Sequence, residues 1–144
     1  MRKIPTKNGF WPEPVYASEG AAGLDLCACI DEPLLLEPGK QVLVPTGIAI
    51  QMPDRTRAAL IFPRSGLASK YGITMSNAVG LIDPDYTGEI KCPLINLGSE
   101  PFTVQPGYRI AQMVFVPIAI AKLTFTNQFK PTGRGSKGFG STGI

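Results

Sequence analysis

The chain contains no histidine. That absence removes the Ser-His-Asp and Cys-His triads, the HExxH zinc site and the His-ligated zinc deaminase centre. A general base must come from elsewhere, and a carboxylate is the simplest source. Cysteine is scarce. Cys27, Cys29 and Cys92 contain no Cys-x-x-Cys pair, so they build neither a disulfide framework nor a four-ligand zinc site. They read as reduced, small hydrophobic residues of a cytoplasmic protein. Charged residues are also few, at 17%, and 14 basic against 11 acidic side chains leave a net +3. That excess suits a small anionic ligand and is too weak to argue for a nucleic-acid groove. Long apolar runs are missing too. The stretch Val114–Ala121 is interrupted by Pro117 and is far too short to cross a bilayer, so no membrane partner is expected. No apolar segment of a targeting signal follows Met1-Arg2-Lys3-Ile4-Pro5.

Glycine and proline are in excess. The 16 glycines and 14 prolines make up about a fifth of the 144 residues, where average usage gives about 12%. Prolines at 33, 38, 45, 53, 63, 84, 93, 101, 106, 117 and 131 leave little room for helices of ordinary length. Short alternating apolar runs lie between them. The stretch 24–30 places Leu24, Leu26, Ala28 and Ile30 on one face, and further strands are expected at 41–44, 47–52, 57–62, 73–76, 89–97, 102–104, 109–116 and 121–126. Pro38-Gly39 and Pro106-Gly107 fit type II turns. The pattern predicts an all-β sandwich or barrel, with 44% apolar residues supplying a single core. The longest stretch between prolines, 64–83, opens from Arg64 with residues that could hold two helical turns, ended by Gly72.

Four segments offer chemistry. Pro63-Arg64-Ser65-Gly66 follows an apolar strand and converges backbone N–H groups, a hydroxyl and a guanidinium on an anion; the plainer reading is that Ser65 caps the helix and Arg64 is solvated. In Gly80–Ile90 an apolar strand runs into Asp83-Pro84-Asp85-Tyr86, where Asp83 is expected to be partly desolvated and aimed into a cleft; the alternative is ordinary turn chemistry. Asp25 sits within a core-like strand and needs partners, either a backbone N–H or arginine, or a metal-bound water. In Arg109-Ile110-Ala111-Gln112, strict alternation puts Arg109 and Ala111 on one face and Gln112 with Ile110, Val114 and Val116 on the other. The tail, 132–143, is Gly-rich and basic. It reads either as a frayed terminus or as an arm that orders over an anion, with Phe139 as a stacking lid. Arg64, Arg134, Lys91 and Lys137 supply charge for phosphates, Asp83 and Asp25 a base and metal support, Asn77 a two-way hydrogen bonder, Tyr86 and Phe139 flat faces. Together these parts point to a nucleotide.

Taken in order, five segments resemble the motifs of the trimeric dUTPases: Ala22-Gly23-Leu24-Asp25-Leu26; Pro63-Arg64-Ser65-Gly66-Leu67-Ala68; Asn77 through Ile90; Arg109-Ile110-Ala111-Gln112; and Arg134 through Gly143. The match runs from about residue 15 to the C-terminus, and residues 1–14, with Phe10 and Trp11, correspond to nothing usable. The resemblance implies an all-β, distorted jelly-roll subunit with one short helix, a jelly-roll domain over 1–131 and an active-site arm over 132–144. It also implies a homotrimer whose active sites draw on more than one chain, with the arm reaching a neighbour's site. Its activity would be Mg²⁺-dependent hydrolysis of dUTP to dUMP and pyrophosphate, which limits uracil in DNA and supplies dUMP for dTMP synthesis. By position, Asp83 would activate the attacking water. Ser65, the Gly66 N–H, Arg64 and Gln112 would hold phosphates, and Arg134, Gly140, Ser141 and Thr142 would close on the γ-phosphate end. Asp25 would bind a magnesium-bound water, with no direct protein ligand to the metal. Asn77 and backbone around Gly80, Leu81 and Ile82 would read uracil, Tyr86 would exclude a 2′-hydroxyl, Phe139 would stack on the base, and Lys91 would lie near base or phosphates. Two rivals remain at this stage: a dCTP deaminase of the same fold, which relies on a glutamate in the third-motif region, and a non-catalytic jelly-roll binding module.

Overall fold

Burial alternates with a period of two along Glu89–Asn96, as expected where one face of a sheet packs inward, while the other long strands bury consecutive residues over part of their length. A computed structural model describes residues 1–136 and 138. Among these the chain forms eleven strands and one helix. The strands are β1 (Arg2–Lys3), β2 (Val15–Tyr16), β3 (Leu24–Cys27), β4 (Leu34–Leu36), β5 (Gln41–Ala49), β6 (Arg57–Pro63), β7 (Ile73–Met75), β8 (Gly80–Ile82), β9 (Glu89–Asn96), β10 (Phe102–Val104) and β11 (Arg109–Pro117); α1 spans Ser65–Tyr71. All pairings are antiparallel. They give a four-stranded sheet β1-β5-β9-β7, a two-stranded sheet β10-β4 and a five-stranded sheet β2-β3-β11-β6-β8. The core lies between the sheets and is filled by Leu26, Leu36, Val44, Ile48, Ile61, Ile73, Ile90, Leu94, Ile110 and Met113.

The all-β expectation with one short helix is what the chain forms, with three differences in detail. The runs 41–44 and 47–52 join into β5, because Pro45 sits beside a register irregularity between Pro45 and Ala49 rather than ending the strand. The helix is capped by Arg64, extended at φ −87° and ψ 128°, with no side-chain capping bond; Ser65 is its first helical residue and is exposed. Gly72 ends it in the left-handed region, φ 68°, its N–H bonding the Ala68 and Leu67 carbonyls. Residues 121–126 form no strand. They continue an exposed segment past β11 that displays Ile120, Leu123, Phe125 and Phe129 at 73%, 78%, 95% and 89% exposure. Among the described residues no strand pairs with that segment. No helix among the described residues is long and apolar enough to cross a membrane.

Candidate active site

Three of the sequence segments meet on the three inner strands of the five-stranded sheet, β3, β11 and β6. Pro63 at the end of β6 pairs with Ala111 of β11, which pairs with Leu26 of β3; one step along, Phe62, Gln112 and Asp25 form the next row. Residues paired across antiparallel strands share a face. Gln112, Asp25 and the segment leaving β6 toward Arg64 are thereby brought together. Asp25 is 2% exposed. Its carboxylate meets Arg64 Nε at 3.2 Å through one oxygen and accepts a hydrogen bond from Arg109 Nη1 at 3.1 Å through the other. The Arg64 contact is one of charge rather than an aligned hydrogen bond, and that buried Nε has no other partner. Of the alternatives for Asp25, arginine is the partner within this chain.

Arg109 is the residue that strict alternation misplaced. A bulge between Arg109 and Ala111 shifts the register, so Arg109 faces Cys27 and its guanidinium reaches Asp25 on the Gln112 side. For the same reason Ile110 and Ala111 are both buried, while Gln112 is half-buried beside Val114 and Val116 and does not face the core. The available signal was the unpaired carboxylate at position 25, which demands a cation. Ser65 and Gly66 stand exposed at the start of α1 just beyond this cluster. Because Ser65 makes no capping bond, its hydroxyl is not used by the helix.

The third segment builds a separate region. Asn77, Ala78 and Val79 form a tight turn, with Val79 N–H donating to the Asn77 carbonyl at 2.7 Å and Ala78 at φ 60°, which a side-chain-bearing residue seldom adopts. It sets Asn77 at the head of β8. That strand is an edge of its sheet, paired with β6 on one side only, so its other edge presents main-chain N–H and C=O groups. Beyond it, Tyr86 N–H donates to the Asp83 carbonyl at 3.1 Å and closes the turn over Pro84 and Asp85. The plain turn reading is therefore correct, and that turn is what carries Asp83 and Tyr86 to one place. They line a cavity of about 410 Å³ with Leu43, Leu81, Ile82, Glu89, Ile90 and Lys91. The Tyr86 hydroxyl donates to the Glu89 carbonyl at 2.9 Å. Its ring lies so close over Gly88 that a Cβ there would come within 2.5 Å of the hydroxyl oxygen, so any larger residue at 88 would push the Tyr86 ring from this position.

Asp83 is exposed, which differs from the expected partial desolvation. Among the described residues nothing buries the turn's Asp83. Nor does the chain bring Asp83 to the Asp25 cluster: Ile82 pairs with Ala59, four residues before Pro63, roughly 13 Å along β6 at strand spacing. Arg134 is exposed at the far end of the chain, and Lys137, Phe139, Gly140, Ser141 and Thr142 lie outside the described residues. Glu89, which sequence reasoning passed over, lies beneath Tyr86 and pairs with Lys91, Oε2 to Nζ, at 3.7 Å. Alternation along β9 puts the two on one face, opposite Ile90, Cys92 and Leu94. The thiols are quiet: burial pushes Cys92 up to about 12 and raises Cys27 and Cys29. Among the described residues no three His, Cys, Asp or Glu side chains cluster as metal ligands.

A family model for dUTPase matches residues 10–143. The deoxyuridine 5′-triphosphate nucleotidohydrolase of Neisseria meningitidis serogroup A is 56% identical over 131 residues, 91% of this chain and 87% of that one. That of Desulfitobacterium hafniense is 55% identical over the same shares. Among solved structures, the dUTPase of Staphylococcus bacteriophage 80alpha with dUpNHpp superposes with a TM-score of 0.85 at 26% identity, covering 99% of this chain and 96% of that one. A dUTPase from phage phi11 of S. aureus, described with a structural Mg(II) ion, superposes at 0.77 with 21% identity, over 90% of this chain and 97% of that one. A motif set gathered into two regions of one antiparallel fold, and more than half of the residues shared with curated relatives, make this chain a member of the dUTPase family.

Proposed function

We propose that the chain hydrolyses dUTP to dUMP and pyrophosphate in the cytoplasm, as a homotrimer whose sites combine the hairpin region of one copy with the Asp25 region of another. One observation carries this reading: Asp83 and Tyr86 line a single cavity beside the free edge of β8. A base laid along that edge meets main-chain donors and acceptors as a neighbouring strand would. Asn77 at the head of β8 completes the reading of uracil. The backbone leaves no space for a thymine methyl, and cytosine presents a donor where an acceptor is wanted, a mismatch that can discriminate by up to roughly 10⁴–10⁵-fold. Tyr86 packs under the deoxyribose and opposes a 2′-hydroxyl, and Lys91 lies near base or phosphates.

Asp83 takes a proton from water and directs its oxygen at the α-phosphorus. The exposed carboxylate becomes desolvated only when nucleotide and a neighbouring chain cover it. Arg64, Ser65, Gly66 N–H and Gln112 hold the phosphates, where positioning and charge neutralisation are the main levers. The arm, residues 132–144, closes the site with Arg134, Gly140, Ser141 and Thr142 on the γ-phosphate end and Phe139 on the base. Exposed Ile120, Leu123, Phe125 and Phe129, ahead of the arm, support its crossing to another copy, since so much apolar surface in an extended segment calls for cover. Mg²⁺ suits the chemistry of Asp25: its carboxylate retains lone pairs for one metal-bound water beside its arginine contacts, and the triphosphate would supply most of the ion's oxygens. When bound, the ion neutralises charge on the triphosphate.

The test is pyrophosphate release with Mg²⁺, offering dUTP, dTTP, dCTP and UTP separately and identifying the nucleoside products. Release from dUTP alone, as dUMP, is the expected result. Conversion of dCTP to dUTP would establish the deaminase instead, and no turnover by folded protein would establish the binding module.

A further inference from the structure

We infer that Glu89 is a positioning residue for the nucleotide cavity, held in register by the N-terminal segment through Gly47; the inference rests on the reading of Tyr86 as the sugar contact. The irregularity in β5 lies between Pro45 and Ala49 and leaves Gly47 with main-chain groups to satisfy. Its carbonyl accepts two donors, Ile4 N–H at 2.7 Å and Trp11 Nε1 at 2.7 Å. Its N–H donates to Glu89 Oε1 at 3.1 Å. Gly47 is buried at φ 69°, and a Cβ there would come within 2.5 Å of Cys29 Sγ and 2.9 Å of the Ile4 carbonyl. The junction accepts only glycine and has no room to shift.

Glu89 passes that constraint on. Its side chain is fixed at Gly47, and its own carbonyl accepts the Tyr86 hydroxyl at 2.9 Å. The ring, pressed on Gly88, then has one seat. The ion pair with Lys91, at 3.7 Å with a half-exposed ammonium, contributes little by comparison, as exposed pairs do. Lys3 stacks on Trp11 at 4.1 Å, and Arg2 Nη2 donates to the Thr87 carbonyl at 3.4 Å, so the same segment also grips the turn between Tyr86 and Glu89. Residues 1–14, which correspond to no motif, gain a role from this path: Trp11, Gly47, Glu89, Tyr86.

The experiment measures kcat and KM for dUTP and UTP with the full-length wild type, Glu89→Ala, Glu89→Gln and Trp11→Phe, with thermal melts as the folding control. Glu89→Ala is expected to raise KM for dUTP roughly three- to tenfold, the net worth of one hydrogen bond, with kcat changed by less than about twofold. Its preference for dUTP over UTP should fall by a similar factor. Glu89→Gln keeps an oxygen for the Gly47 N–H and should restore most of both. Trp11→Phe, which removes the indole N–H together with part of the ring's packing, should move both in the same direction by less, and it carries the test if Glu89→Ala does not fold. Unchanged KM and sugar preference in Glu89→Ala, or a Glu89→Gln as impaired as Glu89→Ala, would overturn the inference while leaving dUTP hydrolysis by the wild type intact. A folded wild type that does not turn over dUTP overturns the functional reading itself.

Discussion

The Asp25 region and the hairpin region solve opposite problems. At Asp25 three adjacent strands bury a carboxylate, and two guanidinium groups from the same chain compensate it. That region is finished within one subunit, its charges spent largely on one another. The hairpin region is open: an edge strand, an exposed turn and a cavity whose acid, Asp83, is exposed among the described residues. Phosphate binding needs fixed positive charge, which an ion-pair cluster supplies without reorganisation. Base recognition and water activation need free groups. On the proposed reading the two kinds of chemistry sit in separate places along β6, and a second copy of the chain would join them.

That contrast can be broken by mutation, and the largest effect is expected at Asp83. Asp83→Asn should lower turnover by about 10²–10⁴-fold, the usual worth of a positioned base, while stability stays within about 0.5 kcal/mol because the side chain is exposed. A collapse in the thermal melt would put Asp83 among the structural residues instead. Deleting 133–144 should leave a folded assembly with turnover reduced by about 10²-fold, in the range of losing transition-state donors; a fully active truncation would remove the arm from the mechanism. Asp25→Asn is the opposite case. It leaves two guanidinium groups facing each other, with Arg64 Nε buried, and should cost about 2–3 kcal/mol in denaturant unfolding. That is less than for a fully buried pair, because the Arg109 side chain is 46% exposed.

Two smaller effects sharpen the comparison. β9 carries the cavity wall on one face and Cys92 on the other. Burial holds the Cys92 proton from the ordinary 9.0 up to about 12, so the folded state keeps a proton that the unfolded state has lost. Stability contributed there is intact below pH 9 and falls as pH rises toward 12, by about 1 kcal/mol at pH 10, and Cys92→Ala should flatten that slope in melts against pH. Ser65→Ala should leave stability within about 0.5 kcal/mol, since no capping bond exists to lose; a loss of 1 kcal/mol or more would restore the capping role.

Much of this was legible in the chain. The all-β class followed from proline spacing and alternation, and the helix over 65–71 from the longest proline-free stretch. The turn at Asp83–Tyr86 could be read from Asp-Pro-Asp. What escaped reading depended on single irregularities. The bulge beside Arg109 adds one residue, and one residue reverses every face assignment upstream of it. The irregularity at Gly47 let β5 run past a proline and gave Glu89 its partner. The run 121–126 has the composition of a strand, yet a strand needs a neighbour, and sequence does not say whether that neighbour lies in the same chain.

By itself the sequence determined which chemistry was open: no histidine, so a carboxylate base; few charges, so a small anion; glycine where backbone must approach a ligand closely. Those are properties of residue types and survive any arrangement. Only the tertiary structure decided which groups neutralise each other and which stay free. Burial, pairing and edge position arise from contacts between segments distant in sequence, and they spent Asp25 on Arg64 and Arg109 while leaving Asp83 exposed at the cavity.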